Sequence, residues 1–315
     1  MKNKKLLTLL SVLCILLAVF SLWKLTDYIV QNARTRRLNA ENAALLAAAT
    51  ETAGPAADTA TPSPAEATPA PAKETDVPAE ETAVPTEETA EPLPEPAATL
   101  KTYYSVLSAS GRPIILSDIY ELHSRYPDTV GYLKIPCIPR IDFAVVQRDN
   151  TYYLNHDISG RKNVTGAAFL DEGCSIWPRS RNLVIYAHNM KSGEMFGELH
   201  RMANLGLLSK NPWVYFSTLY EADYYAPLFI GTCSIDEVPF WRNSFEDEED
   251  FNGFIGQLRE YSEVRLGTEA IFGDDLLTLV TCVDGRDDHR FVAVLRKVRE
   301  GENTEALKRT VFPDK

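Results

Sequence analysis

The sequence predicts a mainly β domain, a barrel or a sandwich, preceded by an apolar helix and an acidic proline-rich tract. Two observations carry the β assignment. Short runs rich in β-branched and aromatic residues recur between residues 141 and 298, divided by turn residues. They do not alternate with helices at the spacing of βαβ units. A third observation separates the first 100 residues from the rest: residues 1–50 carry seven Lys/Arg and two Asp/Glu, and residues 51–100 carry one Lys and eleven Asp/Glu.

From the N-terminus, Leu6 to Trp23 is a stretch of 18 residues without charge, close to the length a helix needs to cross a bilayer. Lys2, Lys4 and Lys5 precede it as in a secretory signal, but no small-residue cleavage motif closes it. The pattern favours an uncleaved signal anchor over a cleaved peptide, extended as a helix to about residue 50. Lys24, Arg34, Arg36 and Arg37 follow the span, so the basic count is nearly balanced and leaves the orientation open.

Residues 51–100 hold ten of the 19 prolines among Ala, Thr and Glu. Such a segment buries too little to offset its ordering entropy, and is expected to be a disordered stalk. It also accounts for most of the net charge of −12. No basic field suited to nucleic acid appears.

Residues 101–315 form the expected domain, with its core at about 113–298. Ile119, Leu122 and Tyr126 keep helical spacing behind Ser117, a candidate N-cap, and Pro127 ends the run. The β-type runs are "IDFAVVQ" (141–147), "TGAAFL" (165–170), "NLVIYAH" (182–188), "YYAPLFIGTC" (224–233), "LLTLVTC" (276–282) and "RFVAVLRKV" (290–298), with a further short one at Trp213 to Phe216. Two helical stripes interrupt them: Met195, Leu199 and Met202, then Phe251, Phe254, Ile255 and Leu258 behind the acidic "EDEED", which favours a helix start.

Four cysteines lie outside the apolar span: Cys137, Cys174, Cys233 and Cys282. They could pair as two disulfides in an oxidising compartment or serve as small buried residues. Their spacings match no zinc pattern, and the five histidines include no HExxH pair, so no metal is expected. Cys282 ends one apolar run, His188 ends another, and Arg290 opens a third. A thiol beside an imidazole can be a nucleophile with its acid/base partner, and an arginine can hold an oxyanion or carbonyl. Spacing alone does not choose this pair from the twenty cysteine–histidine combinations.

The motifs are similar to those of a known family. "TLVTC" resembles the TLxTC signature of sortases, with an arginine opening the following strand. "IYAHNMKSGEMFGEL" resembles the histidine segment of class B sortases. "YPDTVGYLKIP", "NTYYLNHDISG" and "GAAFLD" resemble further class B blocks in the same order, over roughly residues 113–298. The resemblance implies a closed sortase-type β-barrel with an N-terminal helix and an inserted helix between two late strands.

By the same resemblance, Cys282 is the nucleophile, His188 the general acid/base and Arg290 the oxyanion or positioning residue, with Arg286 as the alternative arginine. Tyr186, Asn189 and Thr281 are candidate substrate contacts. The variable position of TLxTC, commonly serine in class B, is Val280 here, and the connection from Cys282 to Arg290 is expected to be a short charged loop. His156 is expected to be structural or substrate-side. His123 and His200 read as surface or satisfied histidines, and His289 as facing away from Arg290.

The implied reaction is transpeptidation. A secreted protein with a C-terminal sorting signal would be cleaved and joined, through a thioester, to a peptidoglycan precursor or cross-bridge amine. A thioester keeps the acyl group reactive, so no cofactor is required. The resemblance also implies attachment to the cell membrane as a single-pass protein, with the N-terminus inside and the domain extracellular. Pilin polymerisation and a catalytically inactive wall-associated domain are the alternatives.

Overall fold

The computed structural model describes residues 2–52, 100, 102–108 and 110–313; the expected stalk therefore lies almost entirely outside the described residues. Helix α1 (Lys2–Thr52) runs unbroken through the apolar stretch, and it contains a segment long and apolar enough to cross a membrane. The domain follows as β1 (Tyr103–Tyr104), α2 (Ser117–Arg125), β2 (Thr129–Lys134), β3 (Asp142–Val146), β4 (Ala168–Leu170), β5 (Asn182–Tyr186), α3 (Leu205–Leu208), β6 (Val214–Thr218), β7 (Glu221–Ser234), α4 (Glu248–Glu260), β8 (Leu276–Val283), β9 (Arg286–Lys297) and α5 (Thr304–Val311).

The strands pair in the order β7-β6-β2-β3-β4-β5-β8-β9, and β9 pairs back to β7, closing an eight-stranded barrel. Closure depends on the length of β7. Its start pairs with β6 and the rest with β9, with a register shift between Pro227 and Phe229. Proline has no N–H to give to the ladder, so the break falls where it costs least. β1 adds as an edge on β7.

Inside the barrel, Phe143, Phe196, Phe216 and Phe229 are almost wholly buried. Each contributes roughly 1.5–3 kcal/mol of apolar burial. A second cluster on the outer face joins Ile119, Leu122, Tyr132, Val146 and Leu219, and Leu38, Ala43 and Leu46 of α1 pack against it. Helix α4 lies in the connection from β7 to β8, the inserted position expected. Phe251, Phe254, Ile255 and Leu258 are its buried face, and the Asp247 side chain caps it by accepting from Asp250 N.

Three local expectations change. Ser117 is the first helical residue rather than the cap: Leu116 precedes it and supplies no side-chain bond, the helix being held by the burial of Ile119 and Leu122. Met195, Leu199 and Met202 are core residues but not one helix. Met195 has φ 53°, the Gly197 N–H closes a turn on Glu194 O, and a short 3-10 helix begins only at Leu199. Finally, β9 starts at Arg286, four residues before the expected Arg290. Asp284 and Gly285 (φ 75°) form a tight turn of the kind Asp-Gly favours in hairpins. The residues after it are extended because β7 holds them, with Ser234 opposite His289 and Cys233 opposite Arg290.

Candidate active site

Sheet register brings the site together. β8 and β9 are antiparallel with Cys282 opposite Arg290, and the register shifts between Cys282 and Val283. The bulge lets three residues of β9, Asp287 to His289, pass between the partner of Val283 and the partner of Cys282. β5 runs parallel to β8 with Tyr186 opposite Val280. Beyond the end of β5, the Ala187 N–H donates to Val280 O at 3.3 Å and the Thr281 hydroxyl donates to Ala187 O at 2.8 Å. The Asn189 amide donates to Cys282 O at 3.0 Å. His188 is thus carried out of β5 alongside the end of β8.

The imidazole is fixed from the other side. His188 Nε2 lies 2.7 Å from Leu154 O. A carbonyl only accepts, so Nε2 carries the proton and Nδ1 is left with its lone pair. The loop after His188 folds back tightly, with Phe196 N donating to His188 O at 3.0 Å. A Cβ on Gly197 would stand 2.1 Å from Met190 O, so only glycine lets this loop close. Arg290 Nη1 donates to Asp287 O and to His289 O, each at 2.8 Å, holding the guanidinium against the bulge.

Cys282, His188, Arg290, Thr281 and Tyr186 all line one cavity of about 240 Å³. Asn189 does not: it lines the neighbouring groove with Arg140, Lys191 and Glu198. Thr281 is buried and its hydroxyl is engaged by the backbone, and Arg286 does not line the cavity. Asn150, Leu154, Phe169, Ala187 and Val280 complete the wall. None of these five was singled out as a site residue, although Asn150 and Leu154 belong to the "NTYYLNHDISG" block, Phe169 to "GAAFLD", Ala187 to the histidine segment and Val280 to TLxTC.

Exposure distinguishes the thiols. All five cysteines are free, and of the four in the domain only Cys282 is exposed. Burial pushes the Cys137 thiol up, the Cys174 thiol up to about 11 and the Cys233 thiol up to about 12, which disfavours the reactive thiolate. Burial, then Asp171, also raises Tyr186, so its phenol stays neutral in the wall. Among the remaining histidines, His123 Nδ1 lies 2.8 Å from Thr129 O, and His156 stacks on Tyr152. His200 lines the neighbouring groove and His289 pairs with Asp288. Among the described residues, no group of three or more His, Cys, Asp or Glu is placed to hold a metal ion. An exposed thiol, an oriented imidazole and an anchored guanidinium on one cavity can perform acyl transfer by covalent catalysis.

No protein-family model matches the chain. Two curated relatives do: sortase B of Listeria monocytogenes, 27% identical over 177 residues (55% of this chain, 70% of the relative), and sortase B of Staphylococcus aureus, 21% identical over 203 residues (64% and 82%). Among solved structures, a sortase B-like protein of Bacillus anthracis is 25% identical at TM-score 0.54, covering 62% of this chain and 89% of its own. The S. aureus sortase B structure is similar in fold at TM-score 0.55 and 21% identity, covering 59% and 89%. The closed barrel and these relatives support a sortase, a cysteine transpeptidase. More particularly, every one of these relatives and structures is named for or likened to sortase B, and together they support a class B sortase.

Proposed function

We propose that the chain is a membrane-anchored transpeptidase that works through Cys282, His188 and Arg290. The observation that carries this reading is the convergence of the three side chains on one cavity. The Cys282 thiol gives its proton to His188 Nδ1, and the resulting thiolate attacks the carbonyl carbon at the scissile bond of a C-terminal sorting signal. The carbonyl electrons move to oxygen, and the Arg290 guanidinium stabilises that oxyanion. As the intermediate collapses, the carbon–nitrogen bond breaks and His188, protonated for this step, gives its proton to the leaving amine. A thioester remains on Cys282.

In the second half, an amine of a peptidoglycan precursor or cross-bridge attacks the thioester, His188 takes a proton from it, and the cysteine leaves as thiolate. Solved sortase B structures include a complex of the S. aureus protein with substrate and a sortase B complex with triglycine, which supports a peptide and an amine as the partner classes. The apolar part of α1 would span the membrane with the N-terminus inside and the domain outside. The deciding experiment offers the protein a panel of sorting peptides with several amines and identifies the products by mass. New peptide–amine adducts that vanish in Cys282→Ala support the reading; products of hydrolysis alone, or adducts that survive the substitution, overturn it.

A further inference from the structure

We infer that the domain rests directly on an anionic lipid surface through a basic rim formed by residues 158–164 and 189–193. The inference depends on α1 being a membrane anchor, as proposed above. Its starting point is where the helix meets the domain. Large apolar side chains of α1 are exposed from Leu10 to Val30, whereas Asn32 and Thr35 are buried. The first firm bonds come immediately after Val30. Gln31 Oε1 accepts from Val164 N at 2.7 Å, Ser192 Oγ donates to Asn32 Oδ1 at 2.9 Å, and Arg34 pairs with Asp157 at 3.0 Å. Thr35 Oγ1 bonds Thr165 Oγ1 at 2.5 Å and accepts from Asn163 Nδ2 at 2.9 Å, and Arg36 pairs with Glu194.

Helix geometry turns these contacts into a height. Leu6–Trp23 is about 27 Å long at ~1.5 Å per residue, which fills a hydrocarbon core of about 30 Å. Gln31 is then about 12 Å beyond the end of the apolar stretch, a few ångströms past a headgroup layer about 5–8 Å deep and within reach of long basic side chains. The domain begins at that level. α1 docks upstream of residue 51, so the helix itself, rather than the tract that follows, sets the distance from the membrane.

The chemistry of the rim fits the same surface. The segments "ISGRKNV" (158–164) and "NMKSG" (189–193) contain no acidic residue, in a chain of net charge −12. Arg161, Lys162 and Lys191 are exposed and have no carboxylate partner among the described residues. Val164, whose N–H bonds Gln31 of α1, is 49% exposed. Basic side chains are drawn to the negative surface potential of an anionic bilayer, and an exposed aliphatic residue can enter the interface. The same loops flank the active site: residues 189–193 follow His188, and Leu154, whose carbonyl holds the imidazole, precedes residues 158–164 by four positions. A rim seated on lipid would therefore place the cavity close to the membrane surface.

The test uses the full chain in phosphatidylcholine nanodiscs, in nanodiscs with about one-third phosphatidylglycerol, and in neutral detergent micelles. Acetylation by an N-hydroxysuccinimide ester is followed at each lysine by mass spectrometry. Lys162 and Lys191 should react at least ~5-fold more slowly in the anionic discs than in micelles, with Lys308 of α5 unchanged. The protection should disappear at 1 M salt, where the screening length falls to about 3 Å, and that of Lys191 should disappear in the Arg161→Glu/Lys162→Glu variant. Equal rates in both disc types, protection already present in micelles, or equal protection by inorganic phosphate in micelles would each overturn the inference. A chain that elutes free of lipid removes the anchor itself, an outcome distinguishable from a retained chain with unprotected lysines.

Discussion

His188 Nε2 and the backbone carbonyl of Leu154 are 2.7 Å apart, so the residue that orients the imidazole supplies a main-chain oxygen rather than a carboxylate. The bond commits the Nε2 proton and leaves Nδ1 as the atom that would exchange protons in the proposed reaction. If the proposed reaction holds, replacing His188 by Ala removes proton transfer at both half-reactions, and the strand β5, which ends at Tyr186, stays intact. A loss of about 10²–10⁴-fold in kcat is expected, with an unchanged melting temperature. Turnover within tenfold of the parent would show that another group moves the proton.

The contrast between Cys282 and Cys233 gives a second prediction. Cys282 is exposed, whereas Cys233 is buried opposite Arg290 in the β7–β9 ladder and its thiol is pushed up to about 12. At pH 8, iodoacetamide should alkylate Cys282 within minutes and leave Cys174 and Cys233 intact until the protein is denatured. Cys282→Ala should abolish peptide cleavage, and Cys233→Ala should keep most of it, losing about 1 kcal/mol of stability from the small cavity. Equal loss of cleavage in the two variants would refute the assignment.

These contrasts also show what the sequence made legible. Strands β5 and β8 are read easily because each is a continuous apolar run, the mark of strands with both faces covered. The ends of those runs carry His188 and Cys282, so the two residues could be named from motif and run together. β2 was hidden: "TVGYLK" is interrupted by Gly131 and ends in Lys134, so it is neither a continuous apolar run nor an alternating one. The start of β9 was hidden for a different reason. "RDDH" is polar and exposed or half-exposed, and it is extended because Arg286 pairs with Val283 of β8 and His289 with Ser234 of β7. The oxygen of Leu154 could not be inferred at all, since a main-chain acceptor leaves no trace in residue type. Nor could the docking of α1, whose buried Asn32, Thr35 and Asn42 read as an ordinary polar helix face.

Arg290 is anchored by two main-chain carbonyls through Nη1, and that geometry needs a planar fork. Lysine at this position can satisfy the bulge or face the cavity, but a single ammonium cannot do both. Arg290→Lys should lose about 10²–10³-fold in kcat, the range found on deleting one oxyanion donor, with a smaller change in KM. Arg286→Ala, outside the cavity, should retain turnover close to the parent. The reverse ranking in a steady-state assay would transfer the role to Arg286.

The last prediction concerns α4, which enters the barrel connection through Asp250. Its carboxylate takes a hydrogen bond at 2.8 Å from Arg242 Nη1, pairs with Nη2, and accepts from Glu246 N at 3.0 Å. The hydrogen bond from Arg242 first, then the Glu246 N–H, lowers its pKa from 3.8 to about 2. A carboxylate with a depressed folded-state pKa binds fewer protons folded than unfolded between those values. Its contribution to stability is therefore fully present above about pH 4 and is lost as the pH falls towards 2. Asp250→Asn should melt below the parent at pH 7, and the gap should close between pH 4 and pH 2. Melting curves across that window give the check: a gap that stays constant down to pH 2 would mean that the substitution acts through packing of the α4 N-terminus and not through the charge of Asp250.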